Sequence, residues 1–163
     1  DNMMEAMSDI VWAINTKNDR FDNIVNRMRS FAIEILEPEN VQIHFHVNEQ
    51  LNHITLNMQQ RKNFYLIFKE AVNNIAKYAD CKNVYVDIEN KGGKIMLRVK
   101  DDGKGFDSLS AEKGSGLAAG QAGVRLGGNG LTNMQKRAVE LNGKLKIDSV
   151  INKGTEVKLE FPV

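Results

Sequence analysis

The sequence predicts an α+β domain, because segments with helical periodicity and segments with strand periodicity both occur along the chain. Apolar residues recur at helical spacing over residues 21–35, 59–79 and 131–141. Alternation of apolar with other residues, typical of half-buried strands, occurs over residues 41–47, 83–90, 94–100, 144–149 and 155–162. The glycines Gly92 and Gly93 predict a hairpin turn between the second and third of these strands.

Length and composition indicate one globular domain. The chain has 163 residues, of which 42% are hydrophobic and 26% charged, an ordinary globular composition. Its formal net charge of +1 gives no basic field for nucleic acid or a membrane surface. The single cysteine, Cys81, excludes an internal disulfide and fits a reducing compartment. No apolar run reaches the roughly 20 residues of a transmembrane helix, and no signal peptide is visible.

The N-terminal segment carries a separate helical stripe. Met4, Met7, Val11 and Ile14 have coiled-coil spacing before a polar cluster at 15–19. A helix of only about 12 residues is marginal alone, so we expect it to continue upstream or to serve as a partner-facing stalk. The chain begins without an initiator methionine, and we expect it to be a piece of a longer protein.

The predicted helix 59–79 has a polar stripe beside its apolar face. Glu70, Asn74 and Lys77 lie at i, i+4 and i+7, and Lys62, Lys69 and Asn73 are predicted to face water. An acid, an amide and a cation together suit a metal-bound polyphosphate. The alternative is a solvated face with a charge pair.

The run Asp101–Phe106 comes directly after the predicted strand 94–100. Asp101 lies at a strand end and is followed by Gly103 and Gly105, which allow a sharp backbone turn. Its carboxylate is suited to accept a hydrogen bond from the exocyclic amine of a nucleobase. Alone, this pattern also describes many ordinary strand-end loops.

Seven of the 13 glycines fall between 114 and 130. This density predicts a lid or another functional loop. The alternative is a disordered insertion without a role. Gly128 and Gly130 lead into the helix 131–141, and a helix N-terminus of this kind binds anions. Thr132 and Asn133 add side-chain donors there. Together with the two preceding sites, this predicts an adenine nucleotide with Mg²⁺, and no P-loop or dinucleotide fingerprint competes.

The three histidines carry no prediction of catalysis. His44 and His46 share the outward face of the strand 41–47 without a third metal ligand, so we expect them to be solvent-side residues. His53 lies in a polar turn.

Four ordered motifs resemble those of sensor histidine kinases. Residues 70–79 resemble their N box, 101–106 their G1 box and 128–134 their G2 box, and Gly154 with Thr155 matches the Gly-Thr near the last strands. The resemblance covers roughly residues 18–163. It implies a two-layer α+β sandwich, with a mixed, mostly antiparallel sheet and helices on one face, as in the Bergerat-type ATP-binding fold.

The N-terminal segment refines this resemblance. The form of the boxes and the stretch 9–19 are similar to the nitrate-sensor/desaturase-regulator type. This implies that residues 1–17 end a dimerisation and phosphotransfer stalk helix, and that 18–163 form the catalytic ATP-binding domain, with a lid at about 106–128.

The resemblance also implies roles for individual residues. Asn74 would bind Mg²⁺, with Glu70 as second ligand or base, and Lys77 would complete the catalytic set. Asp101 would accept from the adenine amine, with Thr155 supporting it through water. The full set expected to bind ATP is Asn74, Lys77, Tyr78, Asp101, Gly103, Gly105, Phe106, Gly128, Gly130, Leu131, Thr132 and Thr155.

The function implied is transfer of the ATP γ-phosphate to a histidine on an upstream stalk helix, for relay to a response-regulator aspartate. The implied full-length protein is a homodimer anchored in the bacterial inner membrane, with this domain cytoplasmic and without nucleic-acid contacts. His44, His46 and His53 lie in the wrong context to accept the phosphate. The alternatives are an ATP-hydrolysing or anti-sigma-type serine-kinase member of the superfamily, and a non-catalytic nucleotide-sensing module.

Overall fold

The structure, a computed structural model, describes residues 2–107 and 129–163. The predicted lid therefore lies outside the described residues except at 106 and 107, and Gly128 lies outside them too. The helices are α1 (Asn2–Ile14), α2 (Phe21–Leu36), α3 (Met58–Asn74) and α4 (Gly130–Glu140). The strands are β1 (Gln42–Val47), β2 (Asn83–Lys91), β3 (Lys94–Asp101), β4 (Lys144–Val150) and β5 (Gly154–Pro162).

The five strands form one mixed sheet in the order β1-β2-β3-β5-β4. β1 pairs with β2 in parallel, and the other three pairings are antiparallel. Val86, Val99 and Val157 lie side by side in register and form one row of the buried face. The predicted sandwich with a mostly antiparallel sheet is confirmed.

Helices α2, α3 and α4 cover this apolar face, and aromatic rings join the two layers. Phe64 of α3 lies 5.9 Å from Phe21 of α2 and 5.4 Å from Phe161 of β5, measured between ring centroids. All three side chains are fully buried, and each contributes roughly 2–3 kcal/mol through the burial of its apolar surface. This packing fixes α3 over the sheet.

The predicted helix 59–79 consists of two parts. A capping box between Asn57 and Gln60 starts α3, which ends at Asn74 and continues as a π-helical turn over Ile75–Ala79. A π turn is wider than an α turn, so the projection of 100° per residue holds only as far as Asn74. Such turns are frequent at functional sites.

Helix α1 turns its apolar stripe away from the domain. Met4 is 78% exposed, Met7 60%, Val11 66% and Ile14 56%. This face contrasts with the apolar face of α2, which is buried. The stripe is therefore an uncovered apolar face in this structure.

Polar groups help to attach the buried side of α1 to the domain. Asp9 lies 2.6 Å from both Arg27 of α2 and Lys69 of α3, measured between carboxylate oxygen and side-chain nitrogen. Arg61, a fully buried residue of α3, donates to the Ala13 carbonyl. The prediction that Lys69 faces water is wrong, because α1 covers that side of α3.

Candidate functional site

A cavity of about 260 Å³ opens where the π turn, the end of β3, α4 and the β4–β5 pair meet. The floor of the cavity is apolar and consists of Val99, Ile147 and Val157 from the sheet and Met134 from α4. Eight residues predicted for the nucleotide site line it: Asn74, Lys77, Tyr78, Asp101, Gly105, Phe106, Leu131 and Thr155. Residues from four separate stretches of the sequence thus converge, as the motifs predict.

Asp101, the last residue of β3, is the buried acid of the cavity. Its side chain is 2% exposed, and Oδ1 accepts a hydrogen bond of 2.9 Å from the Gly103 N–H. Burial raises the pKa of this carboxyl above its ordinary value, although the backbone N–H groups of Gly103 and Thr155 oppose the rise. An ionised carboxylate only accepts hydrogen bonds, so this position suits the donor edge of a base.

The neighbouring carboxylate of Asp102 points away from the cavity. Asp102 Oδ1 accepts from the backbone N–H groups of Lys82 and Asn83 at 2.8 and 2.9 Å, and Oδ2 accepts from Asn83 Nδ2. Desolvation alone would raise its pKa, but these hydrogen bonds outweigh it and lower the pKa. Asp102 therefore fixes the start of β2, and Asp101 is left to the cavity.

Gly105 shapes the turn after β3. Its φ of +59° is in the left-handed region, and a Cβ there would overlap the Val150 carbonyl oxygen. This turn consequently packs directly on the β4–β5 turn, which places Phe106 at the cavity.

Asn74 and Lys77 come from the point where α3 widens into the π turn. Asn74 supplies an amide oxygen and Lys77 an exposed ammonium at the cavity wall. Among the described residues no group of three His, Cys, Asp or Glu could hold a metal. This donor set fits a cation held by one side-chain oxygen together with phosphates of a ligand, and it does not form an all-protein cage.

Four predicted site residues do not line the cavity. Gly103 holds Asp101 through its N–H, and Thr132 is exposed on α4. Glu70 lies against the start of α4, where a Cβ at Gly130 would overlap Glu70 Oε1. The carboxylate is thus near the positive end of the α4 dipole. The ligand-binding roles of these four residues, and of the eight that line the cavity, remain predictions.

Sequence reasoning missed Ser149, a buried serine of β4. Its Oγ accepts from the Phe106 N–H at 2.8 Å and lies 2.8 Å from Thr155 Oγ1. The signal was present, since Ser149 occupies an inward position after Leu145 and Ile147 in the alternating strand. A polar residue at an inward position requires a hydrogen-bond partner.

The two outward histidines lie on the opposite side of the sheet from the cavity. His44 stacks on Tyr85, with 4.6 Å between ring centroids, and its Nε2 lies 3.1 Å from Asn83 Oδ1. His44 and His46 are exposed, which confirms their prediction as solvent-side residues.

A family model described as "Histidine kinase-, DNA gyrase B-, and HSP90-like ATPase" matches residues 59–163. The chain therefore belongs to this family of ATPases. The match includes every residue that lines the cavity.

Known proteins agree with this membership. Sensor histidine kinase YdfH of Bacillus subtilis (strain 168) is 34% identical over 112 residues, which are 68% of this chain and 25% of that protein. The match therefore spans about a quarter of the length of this curated relative. The catalytic domain of histidine kinase ThkA superposes with a TM-score of 0.66 at 16% identity, over 88% of this chain and 93% of that one. The structure of full-length ShkA in complex with AMPPNP superposes with a TM-score of 0.66 at 19% identity, over 85% of this chain and 30% of that one.

The similarity to the ThkA and ShkA structures shows the fold. Family and relatives together confirm the motif-based recognition of a sensor histidine kinase ATP-binding domain. Within the described residues, no helix has the length and apolar character to cross a membrane.

Proposed function

We propose that the chain is the ATP-binding kinase domain of a two-component sensor histidine kinase. It would transfer the γ-phosphate of ATP to a histidine on a stalk helix, for relay to an aspartate of a response regulator. The observation that carries the proposal is the buried carboxylate of Asp101 in the cavity of a histidine kinase-like ATPase domain. The ATP-hydrolysing, serine-kinase and non-catalytic alternatives are not favoured, since the curated relative is a sensor histidine kinase.

The groups around the cavity support a division of roles among its residues. Asp101 accepts a hydrogen bond from the exocyclic amine of adenine, and the apolar floor of the cavity packs on the adenine ring. Lys77 offers its ammonium to the phosphates, and Tyr78 contacts ribose or phosphate beside it. The remaining proposed ATP contacts are Gly103, Gly105, Phe106, Gly128, Gly130, Leu131, Thr132 and Thr155.

Asn74 would hold Mg²⁺ through its amide oxygen, with Glu70 as a second ligand or as a base. When bound, the metal neutralises phosphate charge during phosphoryl transfer. Transfer in this class of reaction depends on positioning and on electrostatic stabilisation, so the chain's own contribution is to orient the nucleotide.

Helix α1 would be the end of the stalk, within residues 1–17. Its exposed stripe of Met4, Met7, Val11 and Ile14 supports packing against other stalk helices in a homodimer. A lid at about 106–128, a response-regulator partner and anchoring of the full-length protein in the bacterial inner membrane complete the proposal.

The test separates nucleotide binding from phosphoryl transfer. Calorimetry with AMPPNP and Mg²⁺ on this chain should show binding. Incubation of the chain with its upstream helix and labelled ATP should put acid-labile, base-stable label on a histidine. Binding without such label would refute the kinase role, and the absence of binding would refute the nucleotide site.

A further inference from the structure

The hydroxyl of Ser149 joins three backbone and side-chain groups at the edge of the cavity. The side chain is 5% exposed. Its Oγ accepts from the Phe106 N–H at 2.8 Å, donates to the Gly154 carbonyl at 3.2 Å and contacts Thr155 Oγ1 at 2.8 Å. Phe106 and Thr155 line the cavity and Ser149 does not, so Ser149 acts through its neighbours.

The hydrogen count fixes the direction of each bond. A serine hydroxyl has one proton and two lone pairs. The Gly154 carbonyl can only accept, and the Phe106 N–H can only donate. All three contacts are satisfied together when Ser149 gives its proton to Gly154 and Thr155 gives its own proton to Ser149. Thr155 then presents lone pairs, and no proton, to the cavity.

We propose that Ser149 is a positioning residue that fixes the Thr155 hydroxyl as a hydrogen-bond acceptor towards the cavity. Asp101 and Thr155 then both act as hydrogen-bond acceptors in direct contact with the base, and the site favours a base with an exocyclic amine over one with a carbonyl at the same position. This inference rests on the proposed nucleotide site and assigns its selectivity partly to a residue that no ligand touches.

The loss of Ser149 has a specific consequence. In Ser149→Ala the Thr155 hydroxyl has lost its acceptor and is free to rotate, so that it donates to a carbonyl. One hydrogen bond contributes about 1 kcal/mol, and we therefore expect the preference for AMPPNP over its inosine counterpart to fall about fivefold to tenfold. Ser149→Thr keeps the hydroxyl and should retain the preference.

A double-mutant cycle provides the decisive measurement. Both nucleotides are titrated calorimetrically into wild type, Ser149→Ala, Thr155→Val and the double variant, and far-ultraviolet circular dichroism checks folding. Once Thr155 has no hydroxyl, Ser149→Ala should leave the preference unchanged. An equal loss in both backgrounds, or an unchanged preference in Ser149→Ala, would overturn the inference.

Failure of the proposed site and failure of the inference about Ser149 are distinguishable. Wild type that binds neither nucleotide refutes the proposed site, whereas wild type with an adenine preference that Ser149→Ala does not alter refutes only the role of Ser149. Where Ser149→Ala does not fold, Ser149→Cys replaces it in the cycle, since a thiol is a weak donor and acceptor and should lower the preference in the same direction.

Discussion

Asp9 and Lys69 form a partly buried ion pair that joins α1 to α3, with 2.6 Å between Asp9 Oδ2 and Lys69 Nζ. The other carboxylate oxygen of Asp9 contacts Arg27 of α2, also at 2.6 Å. Asp9 is 5% exposed, and these two cations are its ion-pair partners. Lys69 precedes Glu70 in the helix that leads to Asn74, and the docked position of α1 is therefore coupled directly to the helix of the candidate site.

Replacing Asp9 should weaken this docking. Asp9→Asn should loosen α1, because an amide cannot compensate two cations that α1 partly covers. Hydrogen bonds to charged groups contribute about 1.5–3 kcal/mol, so we expect backbone amides of α1 to exchange at least about tenfold faster. The measurement is hydrogen exchange by mass spectrometry on residues 3–14, with α2 and α3 as internal reference.

Trp12 offers a second measurement of the same change. It is the chain's single tryptophan, and its ring lies 5.7 Å from Tyr65 and 4.8 Å from the Arg27 guanidinium carbon. Undocking should shift its emission to the red. Glu5→Gln is the matched control, because Glu5 also contacts Lys69 but is exposed and should have little effect. Equal shifts in both variants would contradict a specific role for Asp9.

The same pair gives a pH dependence. Burial alone would lower the pKa of Lys69, but hydrogen bonds to Asp9 and Glu5 raise it above its ordinary value. A cation whose pKa is raised in the folded state stabilises that state below the unfolded pKa, and the contribution is lost as pH rises through the raised value. As pH rises, Trp12 emission should therefore stay constant through neutral pH and shift in the alkaline range. A shift near neutral pH would contradict this assignment.

Arg61 carries a prediction about stability. Its guanidinium pairs with Asp19 and donates to the carbonyls of Ala13 and Leu56, the latter at 2.7 Å. Arg61→Met would leave both buried carbonyls without these donors, and we expect the free energy of unfolding to fall by about 3 kcal/mol. Urea unfolding measures the loss. The adjacent, exposed Lys62 supplies the control, since Lys62→Met should change stability by less than about 0.5 kcal/mol.

Periodicity and local chemistry were enough to predict the strands and the acid of the cavity. Alternation located the five strands, and the strand-end position of Asp101 located the acid. The sequence could not supply the partner of each buried polar group. Asp9 and Arg61 are ordinary residues of helical segments until α1 packs on α3, and only that long-range contact gives the charges their partners. The π turn after Asn74 was hidden for a related reason, because its residues are as compatible with an α-helix.

Asn74 gives a prediction about metal dependence. Asn74→Ala removes the amide oxygen at the cavity wall and leaves Asp101 and the apolar floor of the cavity intact. We expect the dependence of AMPPNP binding on Mg²⁺ to disappear, while the affinity without Mg²⁺ changes little. Calorimetry with and without Mg²⁺ measures both quantities. Asn73→Ala, one residue earlier and outside the cavity lining, should keep the dependence, and an equal loss of affinity in both conditions would exclude the metal role.

The two neighbouring aspartates should respond in opposite ways to the same substitution. The pKa of Asp101 is raised by burial, so ionisation of this carboxyl destabilises the folded state as pH rises above the unfolded pKa. Asp101→Asn should abolish AMPPNP binding and leave the free energy of unfolding at pH 7 unchanged or higher. The pKa of Asp102 is lowered by hydrogen bonds that outweigh its desolvation, so its stabilisation is present above the unfolded pKa and is lost as pH falls through the lowered one. Asp102→Asn should therefore bind AMPPNP within a few-fold of wild type but unfold at lower urea concentration at pH 7. Loss of binding in Asp102→Asn with retention in Asp101→Asn would exchange the two roles and refute the assignment of the adenine contact.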